Sequence, residues 1–170
     1  MLWHYTNGRA LADILKHGAI VATQCRHLPG ERPIVWLTLS DDWEPMCNKT
    51  MIDPDTLRYL TLSREETAAH FGGLARFGIS EDHPNVMRCN KVVRKLIADR
   101  NGAKSMFHLA ERLGSRPEHD WRGSQHEIRV QEWRAVEFFW LGRWRATSEV
   151  NPEDVANHGP GALWEIEERL

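Results

Sequence analysis

Three residues in the opening segment LWHYT, residues 2–6, have side chains that could bind a ligand: His4, Tyr5 and Thr6. If the segment is a β-strand, alternation places His4 and Thr6 on one face and Tyr5 on the other. An imidazole and a hydroxyl on one face form a polar strip that can donate and accept hydrogen bonds. The simpler alternative is a histidine at a strand end that is hydrogen-bonded to a nearby backbone group.

A second polar face is predicted in the segment IVWLTLS, residues 34–40. Strand alternation places Trp36, Thr38 and Ser40 on one face and three aliphatic residues on the other. One aromatic ring and two hydroxyls would then face the same way.

Two glutamates in the predicted late strands are candidate catalytic carboxylates. Glu127 follows Gln125 at the start of a strand and shares a strand face with Arg129. Glu137 lies in AVEFF, on a face with Trp133 and Phe139. Because an unpaired buried charge is very costly, a carboxylate on an aromatic face must have a partner or line a cleft. Either glutamate could also be an ordinary surface residue.

The order of these segments resembles the beginning of ADP-ribosyltransferase-like domains, including those that modify DNA bases. The likeness covers residues 2–40, from LWHYT to VWLTLS, and the later segment SQHEIRV. The chain lacks the Ser-Thr-Ser motif of the Arg-type transferases, so the His-type group is the closer comparison. The resemblance implies an α+β fold with a split mixed or antiparallel sheet.

The resemblance also implies NAD as the substrate and gives roles to residues in the first two strands. His4 would hold the adenosine-side ribose or a phosphate, with Tyr5 beside it on the same strand. Thr6 and Ser40 would contact the nicotinamide half, and Trp36 would pack on the nicotinamide ring.

In the same comparison Glu127 is the catalytic carboxylate, and Gln125 positions the acceptor. Breaking the nicotinamide–ribose bond creates an oxocarbenium-like centre, and a nearby carboxylate stabilises the developing positive charge. Glu137 remains the alternative catalytic residue.

Two groups of basic residues have weaker functional interpretations. Arg76 follows two glycines and could meet a pyrophosphate, although an arginine in a loop or at a helix end is the simpler interpretation. Four cations lie along one side of a predicted helix over residues 85–102 and could follow a nucleic-acid backbone: Arg88, Lys91, Arg94 and Lys95. A solvated outer helix face is the simpler interpretation there.

The predicted function is therefore an NAD-dependent ADP-ribosyltransferase, a toxin-like glycosyltransferase. It would transfer ADP-ribose to a macromolecular acceptor, protein or nucleic acid, and release nicotinamide. The alternative is a catalytically inactive binding or inhibitory protein of the same fold, for example one encoded by a phage or mobile element. A third possibility, transfer of an RNA 2′-phosphate to NAD, would be expected to use basic residues where this chain has Glu127.

Composition limits the class of protein. The 170 residues suit a single domain over 1–170, and 41% hydrophobic content is enough for one core. A formal charge of −2 gives no global reason to expect nucleic-acid or membrane binding. Three widely spaced cysteines indicate a reducing compartment, and the absence of a signal-like start or a long apolar run predicts a cytoplasmic protein. Nine histidines, even with Cys25 and His27, show no convincing zinc spacing, so no metal is predicted.

Local patterns predict the elements that would hold these residues. A strand over 2–6 leads into a helix that is capped by Thr6 or Asn7 and closed by Gly18. The other predicted elements are strands at 34–40 and 57–62, helices at 64–77, 85–102 and 103–113, a loop at 114–126, three late strands (EIRV, WRAVEFFW and WRAT), and two short helices in the last 20 residues.

Overall fold

The fold is described here from a computed structural model, for residues 1–23, 32–140 and 142–146. The strands are β1 (Leu2–Asn7), β2 (Ala19–Ile20), β3 (Val35–Thr38), β4 (Thr50–Ile52), β5 (Tyr59–Thr61), β6 (Leu74–Ile79), β7 (Val86–Arg88), β8 (Trp121–Ser124), β9 (Ile128–Arg129), β10 (Trp133–Trp140) and β11 (Arg143–Ala146). The helices are α1 (Gly8–His17), α2 (Arg64–Phe71), α3 (Cys89–Leu96), α4 (Arg100–Arg112) and α5 (Pro117–Asp120). This mixture confirms the predicted α+β class.

A seven-stranded sheet holds the elements together, in the order β11-β10-β6-β1-β3-β8-β7, and its neighbouring strands are antiparallel. β1 pairs with β6 along its whole length, from Leu2 opposite Ile79 to Asn7 opposite Leu74. It pairs with β3 only at Trp3 opposite Thr38. The sheet is therefore nearly divided between β1 and β3.

Three groups of buried side chains stabilise this sheet, and the smallest consists of Cys89, Ala110 and Trp121. The largest joins α1 to the central strands and to β9, and its members include Leu2, Leu11, Ile20, Phe77 and Ile128. The second joins the sheet to α3 and the start of α4 through Ile34, Val92, Leu96, Ile97 and Ala103. Burial of such apolar surface is the main favourable term in folding.

Helix α1 forms as its sequence predicts. Asn7, rather than Thr6, provides the N-cap, because its side chain accepts a hydrogen bond from the Ala10 amide. Gly18 ends the helix in the left-handed conformation at φ 65°. The strand that contains His4 is thus joined rigidly to the helix beside it.

The predicted helix over 64–77 is wrong in its second half. Ser63 and Glu66 do form the capping box at the start of α2. The helix ends at Phe71, because Gly72 and Gly73 both take positive φ values. Residues 74–79 then form β6, a central strand whose six residues are all buried.

The predicted helix over 85–102 is confirmed over 89–96 and 100–102 and is wrong in the rest of its range. Val86–Arg88 forms the edge strand β7, α3 covers only 89–96, and a second helix begins after Asp99, which caps it. The predicted loop over 114–126 contains α5 and β8. The two predicted helices near the end of the chain, Cys25, His27 and most of the predicted loop over 26–33 lie outside the described residues. No helix in the described ranges is long and apolar enough to cross a membrane.

Candidate functional site

A cavity of about 290 Å³ lies beside the place where the sheet nearly divides. β1, β3 and β8 form one side of it, and the segment over 44–49 and α4 form the rest. Its lining consists of Trp3, His4, Tyr5, Trp36, Leu37, Thr38, Glu44, Met46, Cys47, Lys49, Met106 and Trp121. The predicted residues His4, Tyr5 and Trp36 therefore lie together at one cavity.

His4 bridges the interrupted pairing between β1 and β3. Its Nδ1 lies 2.9 Å from the carbonyl oxygen of Trp36. Because that oxygen can only accept, Nδ1 carries the proton and donates. The other ring nitrogen, Nε2, is then an acceptor in the neutral imidazole. Within the described residues it has no hydrogen-bond partner.

Burial lowers the pKa of His4, and the positive charge of Lys49 acts in the same direction. The hydrogen bond to Trp36 opposes this effect only in part. Burial dominates because removing an imidazolium from water costs more than one hydrogen bond returns. His4 is therefore neutral at pH 7 and presents a hydrogen-bond acceptor.

Glu44 is the buried carboxylate of this cavity, with 5% of the residue exposed. It accepts hydrogen bonds from Trp121 Nε1 at 2.9 Å, Thr38 Oγ1 at 3.4 Å and the Met46 amide at 3.3 Å, and also from the Ser115 hydroxyl. Four donors around one carboxylate compensate its charge and hold the 44–49 segment against β8. Glu44 could not be recognised from the sequence, since its local signal is only that of an acid before Pro45 at the start of a turn.

Lys49 supplies a positive charge to the cavity. Its charge adds to the lowering of the His4 pKa and partly opposes the raising of the Cys47 pKa, so Lys49 lies near both groups. Among the described residues no carboxylate forms an ion pair with it. Burial, reinforced by Glu44, raises the pKa of the Cys47 thiol to about 12. Cys47 is therefore protonated and is a poor nucleophile at neutral pH.

The aromatic wall of the cavity is held in place by ring contacts. Trp36 and Trp121 meet edge to face with centroids 5.6 Å apart, and Phe107 supports Trp121 at 5.8 Å. Such geometry adds to the stabilisation from burial. These contacts fix the positions of both indole rings.

Five of the predicted site residues do not line this cavity: Thr6, Ser40, Arg76, Glu127 and Glu137. The Ser40 hydroxyl donates to the carbonyl oxygen of Trp43 at 2.7 Å. The Ser40 carbonyl oxygen accepts a 2.7 Å hydrogen bond from the Tyr5 hydroxyl. Ser40 is therefore used to hold the loop that follows β3.

Arg76 and Glu137 are partners on the adjacent strands β6 and β10. Arg76 Nε and Nη2 lie 2.7 and 2.5 Å from Glu137 Oε2. The guanidinium also lies 3.9 Å from the ring centroid of Trp3 and 4.6 Å from that of Trp144, and it donates to the Asp41 carbonyl oxygen. These contacts satisfy both charges within the protein.

Glu127 lies in the turn between β8 and β9. Its side chain is 44% exposed and accepts a 2.8 Å hydrogen bond from Arg129 Nε. The next residue, Ile128, is fully buried, and β9 pairs with β2, which directly follows α1. Glu127 therefore has a fixed backbone and an accessible carboxylate.

Within the described residues, no group of three or more His, Cys, Asp or Glu side chains is placed to hold a metal ion. Comparison with protein-family models, with curated proteins and with solved structures finds no match to this chain.

Proposed function

We propose that this protein is an NAD-dependent ADP-ribosyltransferase. The observation that carries the proposal is the position of His4, which bridges the interrupted pairing of β1 and β3 at the edge of an aromatic-walled cavity. A split sheet with a histidine on its first strand is what the sequence resemblance implies for this class. The ADP-ribosyltransferase-like fold family is proposed together with this activity.

The chemistry of the cavity suits the nicotinamide riboside part of NAD. The neutral Nε2 of His4 can accept a hydrogen bond from a ribose hydroxyl. The rings of Trp36 and Trp121 offer surfaces for a planar heterocycle, and the charge of Lys49 favours a nearby pyrophosphate. A volume of about 290 Å³ is near the lower end of the range for small-molecule sites, so we expect the adenosine to lie outside the cavity.

In the proposed reaction the bond between nicotinamide and ribose C1′ breaks, and its electron pair leaves with nicotinamide. A nucleophilic atom of the acceptor forms the new bond to C1′ and loses its proton. We assign Glu127 as the carboxylate that stabilises the oxocarbenium-like centre. Because Glu127 does not line the cavity, this assignment requires the ribose C1′ to lie outside the cavity and beside Glu127. The hydrogen bond from Arg129 orients this carboxylate, whereas Glu137, the alternative candidate, is paired with Arg76.

NAD binding is the first test. Isothermal calorimetry and a thermal-shift assay should detect NAD at up to millimolar concentration, and His4→Ala should weaken binding at least about tenfold, the equivalent of one lost hydrogen bond to a buried site. The absence of wild-type binding at millimolar NAD would contradict the proposal.

Turnover is the second test. Glu127→Gln should nearly abolish release of nicotinamide from labelled NAD while the thermal unfolding midpoint stays unchanged. Glu65→Gln is the matched control, because Glu65 also pairs with an arginine on the surface, at 3.0 Å. If Glu137→Gln or Glu44→Gln abolishes turnover in a protein that is still folded, while Glu127→Gln does not, the assignment of Glu127 is wrong and the proposed enzyme class is unaffected.

One observation favours a second candidate, a non-catalytic binding protein of the same fold. Glu127 is paired with Arg129 and does not line the cavity, and Thr6 and Ser40 do not line it either. A protein that binds NAD in calorimetry but releases no nicotinamide with any acceptor would support this candidate.

A further inference from the structure

The helices α3 and α4 carry an excess of positive charge that the rest of the chain does not share. Residues 86–122 contain nine Lys and Arg residues against four Asp and Glu residues, although the whole chain has a net charge of −2. Eight of these cations are exposed, and six of the eight define what we call the basic face: Arg88, Lys91, Arg94, Lys95, Arg100 and Lys104. Positive charge is therefore concentrated on one part of the surface.

The basic face is continuous across the two helices. Lys91, Arg94 and Lys95 lie on the exposed part of α3, away from its buried residues, and Arg88 is the N-cap of the same helix. Arg100 then joins α4 to this surface, because its Nη2 donates to the carbonyl oxygen of Arg94 at 2.9 Å. Lys104 follows Arg100 one turn later.

Within the described residues, none of the six cations forms an ion pair with a carboxylate. The nearest acid in sequence, Asp99, is used as the N-cap of α4 and accepts from the amides of Asn101 and Gly102. α3 itself contains no acidic residue. The positive charge of this face is thus left uncompensated by its own helices.

This arrangement costs helix stability. Lys91 and Lys95 are four residues apart, as are Arg100 and Lys104, and like charges at this spacing repel. Lys91 also lies in the first turn of α3, where the helix dipole disfavours a cation. A purely solvated helix face would be more stable with acids at some of these positions.

We propose that the basic face binds the phosphate backbone of nucleic acid. Several cations spaced along two joined helices match a polymer with regularly spaced negative charges. All six members of the face are Lys or Arg, so we expect binding to the phosphate backbone with little dependence on base sequence. α4 also contributes Met106 to the cavity, so a bound strand would lie against a helix that forms part of the candidate site.

The test is binding of fluorescently labelled single-stranded DNA, duplex DNA and RNA to the full chain without NAD, measured by anisotropy at several salt concentrations. We expect a dissociation constant of about 1–100 µM near physiological salt and tighter binding at low salt. The triple variant Lys91→Glu, Lys95→Glu, Lys104→Glu should bind at least about tenfold more weakly, with a salt slope smaller by about three.

The matched control reverses three exposed cations elsewhere, in the variant Lys16→Glu, Arg58→Glu, Arg134→Glu. It has the same net charge as the first variant, so equal loss of binding in both would overturn the proposal. Wild-type protein that binds none of the three nucleic acids, or that binds only anionic lipid vesicles, would also overturn it.

A second measurement uses only the wild-type chain and so does not depend on whether the variants fold. Bound nucleic acid should protect Lys91, Lys95 and Lys104 of the wild-type chain from acetylation and leave Lys16 reactive. Equal reactivity with and without nucleic acid would overturn the proposal. Because no step uses NAD, failure of this proposal and failure of the proposed transferase activity are distinguishable.

Discussion

Replacing Glu137 by alanine should destabilise the fold strongly, since it leaves a buried guanidinium without its counter-ion. The side chain of Arg76 is 9% exposed and that of Glu137 is 21% exposed. Removing one partner of a buried ion pair costs about 3–5 kcal/mol. Glu137 is partly hydrated, and Arg76 would keep the Asp41 carbonyl oxygen and two tryptophan rings. We therefore expect the lower value, about 3 kcal/mol.

Two further variants separate the charge from the packing. Glu137→Gln keeps a neutral acceptor for Arg76 and should cost about 1.5 kcal/mol. The double variant Arg76→Met, Glu137→Leu removes both charges and should be nearly as stable as the wild type.

Urea unfolding followed by tryptophan fluorescence measures these effects. With a slope of about 2 kcal/mol per molar urea, Glu137→Ala should lower the midpoint by about 1.5 M. Glu65→Ala, which removes one carboxylate contact of Arg64 at an exposed site, should cost less than about 1 kcal/mol and serves as the control. A similarly small loss for Glu137→Ala would refute the structural role that we give to this ion pair.

Three other changes test the site and its support. Burial keeps the pKa of His4 in the folded protein below 6.5, its ordinary value in the unfolded chain. At pH values between these two pKa values the unfolded chain binds more protons than the folded protein. The free energy of unfolding should therefore fall as the pH is lowered through this window. His4→Asn should remove this contribution, at most about 1.4 kcal/mol per pH unit, from urea unfolding curves, and an unchanged pH dependence would contradict the argument. Glu44→Ala leaves the indole N–H of Trp121 without its acceptor; we expect a loss of about 2–3 kcal/mol in unfolding free energy and weaker NAD binding by calorimetry, whereas full retention of both would contradict its anchoring role. Gly8→Ala would place a Cβ 1.8 Å from the Gly72 carbonyl oxygen, so the start of α1 must move away. Thermal unfolding should show that the free energy of unfolding falls by about 1–3 kcal/mol. A variant as stable as the wild type would mean that the backbones at Gly8 and Gly72 are not in tight contact.

Local signals predicted several elements correctly. The cap at Asn7, the left-handed Gly18 and the capping box at Ser63 and Glu66 each depend on residues within four positions of one another. The alternation in 34–40 likewise predicted a strand. These features could be predicted because the groups that stabilise them are neighbours in the chain.

The central strand β6 could not be predicted in this way. Its segment LARFGI contains an arginine and a glycine, which are unusual in a fully buried strand. Arg76 is accommodated because Glu137, 61 residues later, pairs with it from the next strand. Gly78 is accommodated because the side chains of Met1 and Trp3 fill the space where a Cβ would lie.

The candidate site likewise combines residues that could be predicted from the sequence with residues that could not. From the sequence alone, His4 and Trp36 were expected to face a ligand, and the structure brings both to one cavity. The sequence did not predict that Glu44 and Lys49 would join them, nor that Arg76 and Glu137 would satisfy each other. Local side-chain geometry determines a cap or a strand face. The pairing of buried charges depends on which strands become neighbours, and burial of the whole apolar core decides that.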